Sequence, residues 1–307
     1  HSRPNGDAAV RGKPGQSNAE SLVDEWRGGF DDEPRRSSHC PKCHARGGKV
    51  LADAPGSGVP GCQSLVPVGG TTTIYPTGER EPGMTEVAAF VPGHVTGFFT
   101  IHRDDDPTKT GSRGGGLALS DGVTVTVPPA DETSVRLNDV PVEMEAVETV
   151  LSTLQATARV DAETPLPLGS GFGVSGGMAL GTALAVNQAF DRRLSENELL
   201  TIAHGAEVQA GTGLGDVVAQ ARGGVPIRLE PGGPQDNLLD GIPARPRVEY
   251  YTLGELPTGD VISGDTDLLT QAGKRSLSRV VKEPTMDSFM RASRQFAREA
   301  ELLTPEI

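Results

Sequence analysis

Apolar and polar positions recur in an orderly way only in the later part of the chain. Residues 1–83 are dense in Gly, Pro, Ser, Arg and Asp, and their few large apolar side chains follow neither the helical nor the strand period. A segment of this composition buries too little apolar surface to offset the entropy of ordering it. We therefore expect residues 1–83 to be a disordered or spuriously translated extension, and the folded protein to start at Met84.

From residue 84 onward the pattern predicts a mixture of strands and helices. Short apolar runs bounded by turn residues predict strands at 86–91, 135–137, 158–163 and 223–229. Alternating apolar residues on both sides of Ser120, Asp121 and Gly122 predict a β-hairpin that turns at Gly122. Apolar residues at helical spacing predict helices over 141–156, 195–207 and 287–303. The predicted fold class is α+β.

A glycine-rich loop carries the most specific signal in the sequence. Residues 167–177 read PLGSGFGVSGG, and the small, apolar stretch 178–190 that follows predicts a buried helix. Glycines allow close approach of a ligand to the backbone, and the N–H groups and dipole of a helix N-terminus favour an anion such as phosphate. A Walker-type loop is excluded, because no Lys-Ser/Thr pair closes it, and the spacing fits a dinucleotide fold poorly. A glycine turn without a ligand remains the alternative.

Four polar residues after this loop suggest a nucleotide site when they are taken together. His204 and Glu207 share one face of a predicted helix, and Asp216 follows a glycine turn at the start of another. Arg228 is predicted to point outward from the strand 223–229. Taken singly, Asp216 is explained as a helix cap, Glu207 as a solvated residue and Arg228 as a surface charge. Together, within about fifty residues of the loop, they match the needs of metal-assisted phosphoryl transfer.

Charge and composition exclude several classes of protein. The formal net charge of the 307 residues is −13, and all of it lies after residue 83, because residues 1–83 hold equal numbers of basic and acidic side chains. Nucleic-acid binding needs clustered Lys and Arg, so it is excluded as the main function. No apolar run is long enough to span a membrane, and no secretory signal is found. With three cysteines there is no disulfide framework, and a cytoplasmic protein is expected.

A cluster of possible metal ligands lies inside the extension. Cys40, Cys43 and His44 form a Cys-x-x-Cys-His motif, which is the form of half a zinc site or of a haem attachment site. A fourth zinc ligand would have to be Cys62 or His39. Because there is no second Cys-x-x-Cys pair, we favour an accidental arrangement over a metal site.

The glycine loop and the residues after it resemble the GHMP kinases, the superfamily of galactokinase, homoserine kinase and mevalonate kinase. The resemblance rests on residues 167–177 and on the pairing of Glu207 with 213–216, GLGD. Within the superfamily the chain is most similar to the archaeal pantoate kinases, through 91–99 (VPGHVTGFF), 111–116 (GSRGGG), 203–208 (AHGAEV), 212–220 (TGLGDVVAQ) and 223–225 (GGV).

This resemblance implies ATP-dependent phosphorylation of the primary hydroxyl of pantoate, giving 4-phosphopantoate for coenzyme A synthesis. The catalytic residues would be Asp216, as the base or orienting carboxylate, and Glu207. Ser175 and Glu207 would bind Mg²⁺. The ATP phosphates would be held by Pro167, Gly169, Ser170, Gly171, Gly173, Ser175 and Gly176.

The carboxylate of pantoate calls for an arginine, whose planar guanidinium binds a carboxylate through two hydrogen bonds. Arg228 is our first choice and Arg113 the second. By the same resemblance the other substrate contacts would be Ser112, His94, His204 and Thr266. For His204, an equally strong alternative is that its N–H only ties its helix to the sheet.

The resemblance also implies a two-domain fold. Residues 84–230 would form a complete N-terminal ATP-binding domain, and 231–307 part of a C-terminal α+β domain. Because the glycine-rich segment that usually closes the nucleotide site in this superfamily is missing, we expect the sequence to be clipped at its C-terminus. The alternatives are another small-molecule GHMP kinase, acting on homoserine, mevalonate or shikimate, or a nucleotide-binding protein without activity. Assembly into a homodimer is a further possibility that the sequence does not decide.

Overall fold

The structure, a computed structural model, describes residues 64–67, 70–76, 87–128, 130–252, 261–262 and 266–303. All of these lie in one compact unit, Gly58–Ile307. The possible zinc ligands of the extension and the expected start at Met84 fall outside the described residues. Within the described residues, no helix is both long and apolar enough to cross a lipid bilayer.

Strands and helices alternate in the mixed manner expected of an α+β protein, which confirms the predicted fold class. The strands are β1 (Ser64–Pro67), β2 (Thr73–Pro76), β3 (Val87–Phe99), β4 (Gly114–Val127), β5 (Ser134–Leu137), β6 (Val140–Pro141), β7 (Arg159–Glu163), β8 (Pro226–Glu230), β9 (Leu238–Gly241) and β10 (Arg247–Tyr250). The helices are α1 (Glu145–Thr153), α2 (Val174–Ala189), α3 (Glu196–Ala210), α4 (Asp216–Arg222), α5 (Asp267–Lys282) and α6 (Met286–Glu299).

Most of the described strands belong to one sheet, which is organised around the long strand β4. The order is β2-β3-β4-β7-β5-β6. Strand β8 pairs with the N-terminal end of β4, and β9 pairs with β8. Only the β5–β7 pair is parallel. Because β4 pairs with β7 near Val125 and with β8 at Gly114 and Gly115, its N-terminal end brings β8 into the sheet.

The predicted hairpin at Gly122 is wrong, because β4 runs straight through Ser120, Asp121 and Gly122. Gly122 pairs with Pro92 on β3, and a Cβ atom at Gly122 would collide with the carbonyl oxygen of Val91. The glycine therefore serves the close approach of a neighbouring strand, a role that looks the same as a turn in the sequence.

Strand β3 likewise continues past the proline at which the sequence predicts its end. It extends to Phe99, with irregular pairing between Pro92 and His94 and again between Thr96 and Phe98. Proline is tolerated in a strand at a bulge, where no ladder hydrogen bond is required from its nitrogen. This continuation carries His94 into the middle of the molecule.

Helix α2 packs against the sheet in the main hydrophobic core. Its residues from Gly176 to Val186 are buried, and a Cβ at Gly181 would come 2.6 Å from a methyl carbon of Val125. This is why the predicted buried helix consists of small residues. Helix α3 begins with the predicted capping box, since the side chains of Ser195 and Glu198 each bond the other's backbone N–H.

Two strands lie inside the segment for which the sequence predicts no folded structure. For these residues that prediction is wrong, since β1 pairs with β10 and β2 pairs with β3. Pairing at the edge of a sheet draws on backbone hydrogen bonds, so it does not require a strong apolar pattern. Helix α5, which the sequence also does not predict, packs near the end of β3, where the hydroxyl of Thr270 accepts a hydrogen bond from the Ile101 N–H.

Candidate active site

The glycine loop before α2 has the backbone geometry that its sequence predicts. Gly169, Gly171 and Gly173 have φ values of 68°, 77° and 65°, in the left-handed region that side chains other than glycine rarely adopt. Gly173 is the N-cap of α2, and no side chain caps this helix, so the N–H groups of its first turn have no side-chain acceptor. A Cβ at Gly171 would meet no atom within 4 Å, so the loop is open there. These features suit an anion.

A histidine and an aspartate that are 122 positions apart share a short hydrogen bond within the site. The Nδ1 atom of His94, on β3, lies 2.7 Å from Oδ1 of Asp216, the first residue of α4. His94 is fully buried, whereas 21 % of the Asp216 side chain is exposed. The backbone N–H of His94 also donates to the Phe172 carbonyl in the glycine loop, at 2.9 Å. His94 thus joins the loop to the carboxylate.

Burial disfavours the charged form of both side chains, but only at Asp216 do other interactions overcome it. Burial lowers the pKa of His94 and outweighs the hydrogen bond with Asp216, which favours the protonated ring. A neutral ring then donates from Nδ1 to the aspartate. Burial alone would raise the pKa of Asp216, but the hydrogen bond from His94 and the charge of Arg228 hold this pKa below its ordinary value. Asp216 is therefore an anion at neutral pH.

Glu207 projects from α3 toward the first turn of α2, as the predicted metal site requires. It is 2 % exposed, its Oε1 accepts a hydrogen bond of 2.8 Å from the Thr212 hydroxyl, and its Oε2 accepts one of 3.2 Å from the Ser175 hydroxyl. Burial raises the pKa of Glu207 from 4.5 to about 7, against the two hydrogen bonds and with the help of the nearby Asp216 charge.

A hydroxyl and a carboxylate fit Mg²⁺, which prefers oxygen ligands and completes its shell with substrate phosphates and water. The described residues contain no group of three or more His, Cys, Asp or Glu side chains that could hold a metal by themselves. Ser175 and Glu207 thus offer two adjacent oxygen ligands of the kind that Mg²⁺ prefers.

The raised pKa of Glu207 predicts a pH-dependent stability for the protein in EDTA without nucleotide. Because the folded protein holds this proton more tightly than the unfolded chain, stability falls as the pH rises from about 4.5 to 7. Glu207→Gln removes the effect, so the variant should gain on the order of 3 kcal/mol relative to wild type between pH 4.5 and pH 8. Urea unfolding of both proteins across this range measures the difference. If the free energies of unfolding of the two proteins changed in parallel with pH, the raised pKa of Glu207 would be contradicted.

Arg228 is buried, not outward as the sequence predicts. It is 2 % exposed on β8, its Nε donates to the Ser112 carbonyl at 3.4 Å, and its Nη1 has no hydrogen-bond partner within the described residues. Burial lowers the pKa of Arg228 while the charge of Asp216 raises it, but a guanidinium stays charged in proteins. A buried cation with an unpartnered N–H is suited to bind an anion that enters from outside.

Arg228 and Asp216 interact electrostatically, and the backbone at the glycine that precedes Asp216 lies close to the arginine. A Cβ at Gly215 would come 2.7 Å from Arg228 Nε and about as close to the hydroxyl of Ser112. That hydroxyl donates to the Leu214 carbonyl at 3.3 Å. Ser112 and Arg228 therefore both lie against the backbone at Gly215, next to Asp216, and a side chain at that position would collide with them.

The other predicted substrate residues lie in different surroundings. Arg113 Nη2 is 2.5 Å from Glu230, so the structure favours Arg228 over Arg113 as the carboxylate ligand. His204 is buried and its Nε2 donates to the Thr110 carbonyl at 2.8 Å, which is the tying role that the sequence leaves open. Thr266 precedes α5, and its carbonyl accepts from the Thr270 N–H. In the described part of the chain, no hydrogen bond joins Thr266 to another predicted site residue.

Sequence reasoning missed Gln220, which is fully buried on α4, one turn after Asp216. Its Nε2 donates to the carbonyls of Pro92 and Gly173, both at 2.9 Å. A glutamine within an apolar helical stretch gives no distinctive signal, although its spacing of four from Asp216 places both on one face of the helix.

Comparisons with known proteins identify a family. The sequence profile of the GHMP kinases N terminal domain matches residues 143–224. Pantoate kinase of Methanospirillum hungatei is 33% identical over 233 residues, which cover 73% of this chain and 79% of that protein. Pantoate kinase of Methanocaldococcus jannaschii is 35% identical over 232 residues, covering 71% and 82% of the two chains.

A solved structure shows the same relationship. A phosphotransferase related to the CoA biosynthesis pathway superposes with a TM-score of 0.62 at 32% identity, over 72% of this chain and 78% of the other. A structure of MDDEF in complex with MVAPP, AMPPCP and magnesium superposes at 14% identity with a TM-score of 0.52, over 71% of this chain and 74% of that chain, which extends the likeness of fold only. The chain therefore belongs to the pantoate kinase family of the GHMP kinases.

Proposed function

We propose that this protein transfers the γ-phosphoryl group of ATP to the primary hydroxyl of pantoate, giving 4-phosphopantoate for coenzyme A biosynthesis. The observation that carries this proposal is that a buried arginine and an ionised aspartate, Arg228 and Asp216, interact electrostatically in the site. Arg228 offers a buried cation with an unpartnered N–H, and Asp216 offers an ionised carboxylate beside it. A small hydroxy acid can engage both at once, through its carboxylate and its reacting hydroxyl.

The nucleotide would lie along the glycine loop. Its phosphates would accept hydrogen bonds from the N–H groups around Gly171 and from the uncapped first turn of α2. Ser175 and Glu207 would hold Mg²⁺, which in such reactions neutralises charge on the phosphates. Because Glu207 faces Ser175 on the first turn of α2, the metal and the phosphates would share one region of the site.

Asp216 would accept or orient the proton of the attacking hydroxyl. It is ionised at neutral pH, and its partial exposure leaves the carboxylate accessible from the site. His94 fixes one of its oxygens, which orients the other toward the substrate. Positioning and charge stabilisation provide most of the catalysis in phosphoryl transfer, so a rigidly held carboxylate is what the reaction requires.

The proposal predicts that the purified protein consumes ATP in the presence of Mg²⁺ only when pantoate is added. A coupled assay for ADP, with mass detection of a phosphorylated hydroxy acid, measures this directly. Homoserine, mevalonate and shikimate are the control substrates, and we expect each to be turned over at least tenfold more slowly. If one of them is turned over faster than pantoate, the proposed kinase activity stands, but that compound replaces pantoate as the proposed substrate. ADP formation that is independent of any alcohol would contradict the proposal.

A further inference from the structure

The glycine run of the phosphate loop has two halves with different neighbours. Gly169 and Gly171 are exposed, and no atom lies within 4 Å of a Cβ placed at Gly171. At Gly173 such a Cβ would lie 3.2 Å from Gln220 Nε2, and at Gly176 it would lie 3.0 Å from Gln220 Oε1. The first half thus faces open space, whereas the second half is packed against the amide of one buried side chain.

That amide joins three separate segments of the chain. Its NH₂ group donates to Gly173 at the N-cap of α2 and to Pro92 at the bulge of β3, while Gln220 itself belongs to α4. Both donors of the amide are used, so the assignment of its nitrogen and oxygen follows from the hydrogen bonds. Replacing it would leave the buried carbonyl of Pro92 without this partner, whereas the carbonyl of Gly173 would keep the hydrogen bond from the Gly177 N–H.

The same three segments carry the reacting groups. Asp216 lies on α4 one turn before Gln220, His94 lies on β3 two residues after Pro92, and Ser175 lies on α2 two residues after Gly173. The His94 contacts with Asp216 and with the Phe172 carbonyl join these elements a second time. The distance between the carboxylate and the phosphate loop therefore depends on a small set of buried hydrogen bonds.

We infer that Gln220 is a positioning residue, which holds the phosphate loop at the correct distance from Asp216. This inference rests on the proposed function, because it assumes that the loop binds ATP and that Asp216 meets the acceptor hydroxyl. Gln220 touches neither ATP nor the acceptor and acts through Gly173 and α4. A displacement of about 1 Å between reacting groups can cost about a hundredfold in rate, so the effect of losing this support is large.

The test compares Gln220→Met and Gln220→Glu with wild type. Methionine keeps the length and flexibility of the side chain but donates no hydrogen bond. For Gln220→Met we expect kcat to fall about a hundredfold and the affinity for MgATP, measured by calorimetry without pantoate, to fall at least tenfold. The KM for pantoate should change less than threefold, because Arg228 is untouched.

Glutamate at this position provides a second readout, which depends on pH. As a carboxylate it cannot donate to the two carbonyls, but when protonated it donates one hydrogen bond. The activity of Gln220→Glu relative to wild type should therefore rise as the pH is lowered from 8 to 6. The matched control is Asn187→Ala. The Asn187 side-chain amide donates to the backbone carbonyl of Leu194 and accepts from its N–H, away from the site. This variant should leave kcat and MgATP affinity unchanged.

Two results would overturn the inference. One is a folded Gln220→Met that binds MgATP and turns over like wild type. The other is a Gln220→Glu protein whose activity relative to wild type does not depend on pH. If Gln220→Met does not fold, the pH profile of Gln220→Glu decides. Because MgATP binding is measured without an acceptor, it tests Gln220 even if wild type fails to phosphorylate pantoate, and that failure would count against the proposed function alone.

Discussion

Replacing Asp216 by asparagine should lower kcat by about 10²- to 10⁴-fold, the range expected for loss of a group that takes or orients a proton. Asparagine has nearly the same shape, and its Oδ1 can still accept the hydrogen bond from His94 Nδ1. The site geometry and MgATP affinity should therefore stay close to wild type, and the loss should appear in turnover. Steady-state kinetics with pantoate and calorimetry with MgATP separate the two quantities.

A carboxylate elsewhere on the sheet serves as the control for this variant. Asp161, on β7, pairs with Arg159 at 2.7 Å near the surface, and Asp161→Asn should leave kcat unchanged. Because the pKa of Asp216 lies below its ordinary value, Asp216 should cause no change in kcat between pH 6 and pH 9. If Asp216→Asn kept more than a tenth of wild-type turnover, Asp216 would not be the group that meets the hydroxyl.

Replacing Arg228 by methionine should raise the KM for pantoate by about 10²- to 10³-fold, because the substrate carboxylate would lose its only proposed cationic partner in the site. The affinity for MgATP should change little. Stability should change little on balance, since methionine removes the cost of burying the guanidinium but also the charge that favours the ionised form of Asp216. KM measurements, together with urea unfolding, test both statements.

Arg113 gives a matched comparison, because it directly follows Ser112, whose carbonyl accepts a hydrogen bond from Arg228, and because it is the alternative ligand for the substrate carboxylate. It pairs with Glu230 and is 38 % exposed, so Arg113→Met should change the KM for pantoate less than threefold. Arg228→Lys should recover only part of the loss, since an ammonium cannot bind a carboxylate through the two parallel hydrogen bonds of a guanidinium. An increase in KM for Arg113→Met that exceeds the increase for Arg228→Met would reverse the assignment of the two arginines.

Local features were the ones that could be read from the sequence. The capping box at Ser195 and Glu198 spans four residues, and the glycine loop and the helix after it are consecutive in the chain. Their physical causes, side-chain capping and the conformational freedom of glycine, act between near neighbours. The resemblance to GHMP kinases could be recognised for the same reason, since its motifs are short and continuous.

Features that depend on distant partners were predicted wrongly or not at all. Gly122 has the same surroundings in sequence as a hairpin turn, but its role is decided by Val91 on the adjacent strand. Arg228 reads as an outward charge, and only the folding of Ser112 and Asp216 around it makes a buried arginine acceptable. The short strands β1 and β2 depend on edge pairing, which leaves little trace in side-chain pattern.

The sequence by itself determined the α+β class, the backbone geometry of the glycine loop and the membership in a kinase family, because each is encoded in local propensity or in continuous motifs. Tertiary structure alone decided that His94 meets Asp216 across 122 positions, that Gln220 joins α4 to the glycine loop, and that Arg228 keeps an unpartnered N–H. Hydrogen bonds and charge shifts of this kind depend on burial and on distances of about 3 Å, which exist only once the chain has folded.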